Sequence, residues 1–265
     1  MTNKIILIFI VISFIIGFSS NYFIYKSNKD KSIIREKKKI LNLLFSNFVS
    51  YSQHFEDFIL FFLFYNIQKG FYIDVGAFDP NFISVTKAFY ERGWYGINIE
   101  PIPEKYESLK KHRKRDINLQ IGVGEKDDIK KMIVNGVYSS ILNNITKNNS
   151  RIINIKIKAM KDICKKYVPK NIKIQFCKID VEKAEKYVLL GYDFINFRPK
   201  VFCIETLFDK KKNKPEYVEW EYILFKNDYE FGYHYGLNRF YYDKRINGLK
   251  EKFKRIDYYV KLYKK

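Results

Sequence analysis

The chain has 265 residues, 49 Lys+Arg against 29 Asp+Glu, a formal charge of +20 and 18% aromatic residues. This apolar and aromatic content excludes a disordered chain, and the length allows one to two domains with a real core. The basic balance suits an acidic partner such as an anionic membrane face. The lysines are scattered, though, with no arginine stripe or RNA-recognition signature, so no specific nucleic acid is expected.

In chain order, residues 5–18 (IILIFIVISFIIGF) are almost wholly apolar, and the run extends to Tyr25. At 1.5 Å per residue, that is about 30 Å of helix, enough to span a bilayer. The apolar core also has the length of a signal-peptide segment, but no small-x-small cleavage site follows, and Phe18 stands where a small residue is needed. Only Lys4 precedes the run, whereas Lys26, Lys29, Lys31, Arg35, Lys37, Lys38 and Lys39 follow it. The charge bias therefore predicts a single-pass membrane anchor over residues 1–25, with the remainder cytoplasmic. Residues 26–47 read as a basic juxtamembrane linker or helix, and residues 48–265 as the globular domain.

Beyond that point helices and strands alternate. A helical pattern covers 53–68, a strand GFYIDVG follows, and then come a helix over 82–92 and a strand WYGINIEP. PEKYESLKKHRKR is a helix with proline near its start, and DINLQIGVG a third strand. Residues 126–160 are mixed, with a polar loop near 143–150. MKDICKKYV (helix), IKIQFCKID (strand), EKAEKYVLLGY (helix), KVFCIE (strand) and YVEWEYILFKNDY (helix) complete the alternation. YEFGYHYG and RFYYD close it as a hairpin around Gly-Leu-Asn. This order predicts a mostly parallel sheet, helices on both faces and an antiparallel edge.

Asp74, Glu100, Asp180 and Glu205 each end a strand. In open parallel sheets, ligands bind at those strand ends, near the switch in strand order. Gly76 follows Asp74 and admits close backbone approach, and Glu100 at the end of the next strand suits ribose hydroxyls. DVGAFDPN has one glycine and no GxGxxG, so the phosphate cradle of a dinucleotide site is missing. A ribose-bearing cofactor without phosphates fits better, S-adenosylmethionine foremost, and a nicotinamide oxidoreductase fits worse.

SYSQHFEDFIL, FYIDVGAFDP, SVTKAFYERGWYGINIEPIPEKYESL, DINLQIGVG, KIDVEKAEKYVLLGYDFINFRPKVFCIE and WEYILFKNDYEFGYHYGLNRFYYD occur in that order over about residues 50–242. In order and combined length they resemble the FkbM family of S-adenosylmethionine-dependent methyltransferases. The resemblance implies a Rossmann-like class I methyltransferase fold, a seven-stranded sheet with its last strand antiparallel. It also implies O-methylation, often of a sugar or other glycan hydroxyl, making a glycan or lipid-linked sugar the expected acceptor. It places the cofactor on Asp74, Gly76, Ala77, Glu100 and Pro101, with Gln53, Glu56 and Asp57 lining the pocket from the N-terminal side. Asp180 falls beside the methyl group, and Asn238 and Arg239 near the substrate mouth.

Two positions depart from the family pattern. Lys183 replaces the glycine of KIDVEG, and Tyr235 replaces an acid before GLNRF. A glycine with positive φ at the first of these would make Lys183 strained, leaving a catalytically weak membrane-associated binding protein as the alternative function. Asp180, Glu182 and Glu205 are the candidate catalytic acids, and Asp180 and Glu182, spaced i, i+2, are candidate Mg²⁺ ligands. His54, His112 and His234 lack triad partners. Cys164, Cys177 and Cys203 read as buried thiols with no zinc pattern. The sequons at Asn144 and Asn148 matter only in a secreted chain.

Overall fold

The computed structural model describes residues 47–135, 139–141, 151–209 and 213–263, together with Arg35, Lys39 and Asn42. The predicted anchor (5–25), most of the linker (26–47) and the loop near 143–150 lie outside the described residues. Among those described, no helix is long and apolar enough to cross a membrane. The chain divides into Val49–Val260 and a second unit of Met1–Phe48 with Lys261–Lys265. In that second unit Arg35, Lys39 and Asn42 are helical. The larger unit holds the sheets.

Its main sheet has seven strands. They are β1 (Phe71–Val75), β2 (Tyr95–Ile99), β3 (Ile117–Leu119), β8 (Ile174–Ile179), β9 (Val201–Glu205), β12 (Tyr229–Tyr235) and β13 (Asn238–Asp243). Their order is β12-β13-β9-β8-β1-β2-β3. All central pairings are parallel, while β13 is antiparallel to both β9 and β12. The hairpin is present as predicted, but its second strand slots inside its first: the antiparallel strand is β13, and the edge strand β12 runs with the others. Central strands β1 and β8 are buried along their whole length, which is why they read as continuous apolar runs rather than alternating ones.

The helices are α1 (Glu56–Phe64), α2 (Lys87–Glu91), α3 (Pro103–His112), α4 (Met160–Tyr167), α5 (Glu185–Leu190), α6 (Glu221–Lys226), α7 (Leu249–Phe253) and α8 (Ile256–Tyr263). Several are shorter than their sequence patterns: the patterns at 53–68 and 82–92 contain helices of nine and five residues. From β1 the chain steps through α2 and α3 towards β3. From β8 it steps through α5 and α6 the other way. Right-handed crossovers put these two helix sets on opposite faces, and the order switches between β1 and β8.

DINLQIGVG does not form one strand. Ile117–Leu119 pairs with β2, whereas β4 (Gly122–Gly124) leaves for a second sheet, ordered β4-β7-β5-β6, with β5 (Asp128–Val134), β6 (Ser140–Ile141) and β7 (Arg151–Ala159). At Gly122 a Cβ would meet Ile157 Cδ1 at 2.6 Å, so the glycine admits this pairing. The sheet buries Met132, Ile155 and Ile157 against Ile102. A further pair of two-residue strands, β10 (Phe208–Asp209) and β11 (Lys214–Pro215), follows β9.

The tips of β1 and β8 almost touch. Gly76 has φ +78, and a Cβ there would lie 1.9 Å from the Asp180 carbonyl oxygen. Lys183, just beyond β8, has φ +83, confirming that a glycine-type conformation is imposed on a lysine. Opposite outcomes follow for two substitutions. In chemical denaturation, Gly76→Ala should lose about 3 kcal/mol or more from its clash and strain. Lys183→Gly should gain about 1 kcal/mol despite the freer unfolded chain.

Candidate active site

A cleft of about 1190 Å³, including its open mouth, lies over the carboxyl ends of β1, β2, β8 and β9. Of the residues expected from the sequence, it brings together Gln53, Gly76, Glu100, Pro101, Asp180, Glu182 and Glu205. Met132 and Ile155 of the second sheet wall one side of it, with Ile102 beside them.

The β1 side is a braced loop. Gly76 and Ala77 both donate backbone hydrogen bonds to the Ile99 carbonyl, at 2.9 and 3.1 Å. Glu100 accepts from the Phe78 backbone N–H at 2.9 Å and from the Ile102 N–H at 2.8 Å, one on each oxygen. Each carboxylate oxygen keeps a second lone pair for a ligand. Asp79 accepts from the N–H groups of Asn81 and Phe82 and from Lys105. Buried Arg113 donates to the Pro80 carbonyl at 2.8 Å and to Ser84. Loop 76–80 is thereby fixed, with its glycine facing the cleft.

The β8 side is a cluster of charge. Lys178 is the only charged residue in β8, and in the register it stands opposite Asp74. Its ammonium donates to the Gly76 carbonyl at 2.6 Å and lies 3.3 Å from Asp180 and 3.5 Å from Asp74. Burial alone would lower its pKa, but Asp180 and Asp74 outweigh that and hold it above the usual lysine range. Lys178 was legible in the sequence as a lone charge inside IKIQFCKID but was not among the expected site residues. Asp180, Glu182 and Glu205 each offer a carboxylate oxygen, all within 4.8 Å of one another. Such a trio could hold a divalent cation. Burial pushes Glu182 up to about 7, assisted by Asp180 and Glu216. Burial, then Asp180, pushes Glu205 up to about 10. Just behind, Glu185 accepts from the N–H groups of Val181 and Lys183, and burial raises it to about 8.

Six expected site residues have other work. Asp57 is fully buried and accepts from Ser50 and Ser52 hydroxyls and from the Tyr51 N–H, tying the entry segment to α1. Asp74 lies beneath the cleft, bonded by Thr86 at 3.1 Å and paired with Lys178. Ala77 acts through its backbone N–H alone. Asn238 is buried, donating to Glu56 at 2.5 Å, which joins the hairpin to α1. Arg239 stacks over Tyr217 at 3.8 Å and pairs with Glu221, turned away from the cleft wall. Glu56, expected beside Gln53, is likewise held by Asn238 and the His54 N–H. The Lys183 side chain reaches Glu216 at 3.5 Å and does not line the cleft. His112 and His234 are exposed, His54 packs over Gly236, and all three cysteines are buried.

Burial holds Glu100, Glu182 and Glu185 well above the ordinary glutamate value of 4.5, at about 7, 7 and 8. An acid whose folded pKa is raised favours the fold while protonated. Its contribution is present below the unfolded value and is lost as pH rises through the folded one. The urea midpoint of the ligand-free chain should therefore fall from about pH 5 and, with Glu205, on towards about pH 10, and Glu100→Gln should shallow the part of the fall up to about pH 7.

A family model of the methyltransferase FkbM domain matches residues 74–234. No curated protein matches the chain. The match covers more than half of the chain, opens on Asp74, the buried acid of β1, and takes in β2, β8, β9 and the whole second sheet. With the switch-point cleft and the seven-stranded sheet, it shows that the chain belongs to the FkbM methyltransferase family, whose methyl donor is S-adenosylmethionine.

Proposed function

We propose that the chain is an O-methyltransferase acting on a hydroxyl of a sugar or other glycan, anchored to a membrane through residues 5–25 with its catalytic domain in the cytoplasm. One observation carries the catalytic reading: a single cleft joins Glu100 and the Gly76 loop to the Asp180, Glu182 and Glu205 trio. The residues fit the cofactor. Glu100 retains free lone pairs for ribose hydroxyls, and Gly76, whose missing Cβ lets the Asp180 carbonyl approach, brings the tips of β1 and β8 together under one cleft. Bound there, S-adenosylmethionine supplies an electrophilic methyl group.

The remaining tasks fall to the chain. A sugar hydroxyl is a poor nucleophile until its proton leaves, and a positioned base contributes typically ~10²–10⁴-fold. Glu182 titrates at about 7 and faces the cleft, so it is matched to accept that proton. Burial and the neighbouring Asp180 hold Glu205 well above the ordinary glutamate range, so Glu205 and Asp180, hydrogen-bonded to each other, share a proton beside the acceptor oxygen. Asp180 is held in place by Lys178 and provides the neighbouring acceptor. The apolar wall of Ile102, Met132 and Ile155 excludes water from the other end.

Isothermal titration tests this reading. S-adenosylhomocysteine should bind the full chain, NAD should not, and Glu100→Ala should weaken the binding at least about tenfold, a loss of ~1.4 kcal/mol. No binding by a folded chain would return the protein to a non-catalytic scaffold.

The convergence of three carboxylates favours a second element, a Mg²⁺ ion shared by Asp180, Glu182 and Glu205 that acidifies the acceptor hydroxyl. Calorimetry of the chelator-treated chain with Mg²⁺ should then give one site, removed by Asp180→Asn. A flat titration discards the metal and leaves Glu182 as the base.

A further inference from the structure

We infer that the outer face of α5 and α6 lies on the surface of an anionic lipid bilayer. Tyr187 and Leu190, three residues apart on α5, and Tyr222 and Phe225, three apart on α6, are 40–54% exposed, and Ile195 after α5 is 88% exposed. Positions i and i+3 share a helix face. The two helices pack against each other, and by crossover hand they occupy one face of the sheet. Their solvent sides therefore form one surface, bearing tyrosine, phenylalanine and aliphatic side chains without a partner element.

Charge selects the occupant. Lys186 lies on α5 and Lys226 ends α6. Lys130, paired with Asp128 at 2.8 Å, lies within electrostatic reach of Tyr187, and the backbone N–H of Lys161 donates to the Gly191 carbonyl at the end of α5. Glu216, Glu219 and Glu221 are ion-paired with Lys183, Lys214 and Arg239, and Asp193, held by the N–H groups of Ile195 and Asn196, offsets Lys161, which leaves Lys186 and Lys226 as the cations of the face. An aromatic and aliphatic face rimmed by lysine is the pattern of an interfacial surface, where rings sit at headgroup level and ammonium groups meet anionic lipid. A second copy of the chain would bring like charges together. A bilayer with anionic headgroups complements them, and the chain carries +20 overall.

This inference rests on the membrane reading of residues 5–25, and the experiment separates the two. The three native cysteines are buried, so single cysteines can be spin-labelled selectively. Leu190→Cys and Phe225→Cys probe the face. Glu251→Cys is the reference, on α7, which packs against α1, itself packed against α2, on the other side of the sheet. Each full-length variant is reconstituted with phosphatidylcholine vesicles, with and without phosphatidylserine. Vesicle flotation and the collision rates of the label with oxygen and a nickel chelate are then measured.

Labels at 190 and 225 should lose nickel collisions several-fold relative to 251 while gaining oxygen collisions, and the loss should be larger with phosphatidylserine. Flotation with all three labels equally open to nickel overturns the inference and leaves the anchor standing. Equal losses in both lipids overturn the anionic assignment. Dipolar broadening between labels shows a second copy on the face and overturns it too. A chain that does not float overturns both readings.

Discussion

The ammonium of Lys178 organises the end of the sheet on which the cleft is built. It is a buried charge among apolar neighbours on a central strand, and such a charge is tolerated only when paired and hydrogen-bonded. The pairing comes from both sides of the strand switch: Asp74 belongs to β1, Asp180 follows β8, and the Gly76 carbonyl caps the set. Because all three partners must point at one nitrogen, the two strand tips are held in fixed relation. Removing the lysine would leave two carboxylates facing each other, which is why loop 76–80 and the acid cluster are one unit.

From this anchor the site divides into a part fixed by backbone and a part tuned by charge. Loop 76–80 receives or donates hydrogen bonds at almost every residue, through Ile99, Glu100, Asp79 and Arg113. Such preorganisation suits a cofactor recognised by shape and ribose hydroxyls. Across the cleft, Glu182 and Glu205 have their pKa values driven apart, to about 7 and about 10, by different burial beside the same Asp180. Carboxyl groups so separated suit different roles, one titrating near neutrality and one sharing a proton with Asp180.

The sheet and the four strand-end acids were legible because each parallel strand is a short apolar run closed by one polar residue. Asp74, Glu100, Asp180 and Glu205 could be placed on one edge from that pattern alone. Three features were not used. The second sheet is written in RIINIKIKA, where Ile155, Ile157 and Ala159 are buried and Lys156 and Lys158 exposed, an alternation hidden by high isoleucine and lysine content. Asp57, expected on the cofactor, sits just inside a helix, where an acid also serves the local backbone, and here Ser50, Ser52 and Tyr51 claim it. Asn238 and Arg239 sit at the strand end nearest Glu205, but contacts distant in sequence, with Glu56 and Glu221, decide where their side chains turn.

Lys183 resolves more favourably than its sequence suggested. Glu182 and Lys183 are consecutive non-glycine residues at φ +53 and +83, an unfavourable arrangement for L-residues. The turn is held because Glu185 accepts the N–H groups of Val181 and Lys183 from its buried position at the start of α5. The lysine side chain leaves towards Glu216, while the left-handed turn directs the preceding Glu182 into the cleft. What a glycine would relax is therefore outside the cavity, and what the strain positions is the carboxylate inside it. Retaining a lysine there costs stability without obstructing the site, so the departure from the family pattern bears on folding and not on access to the acids.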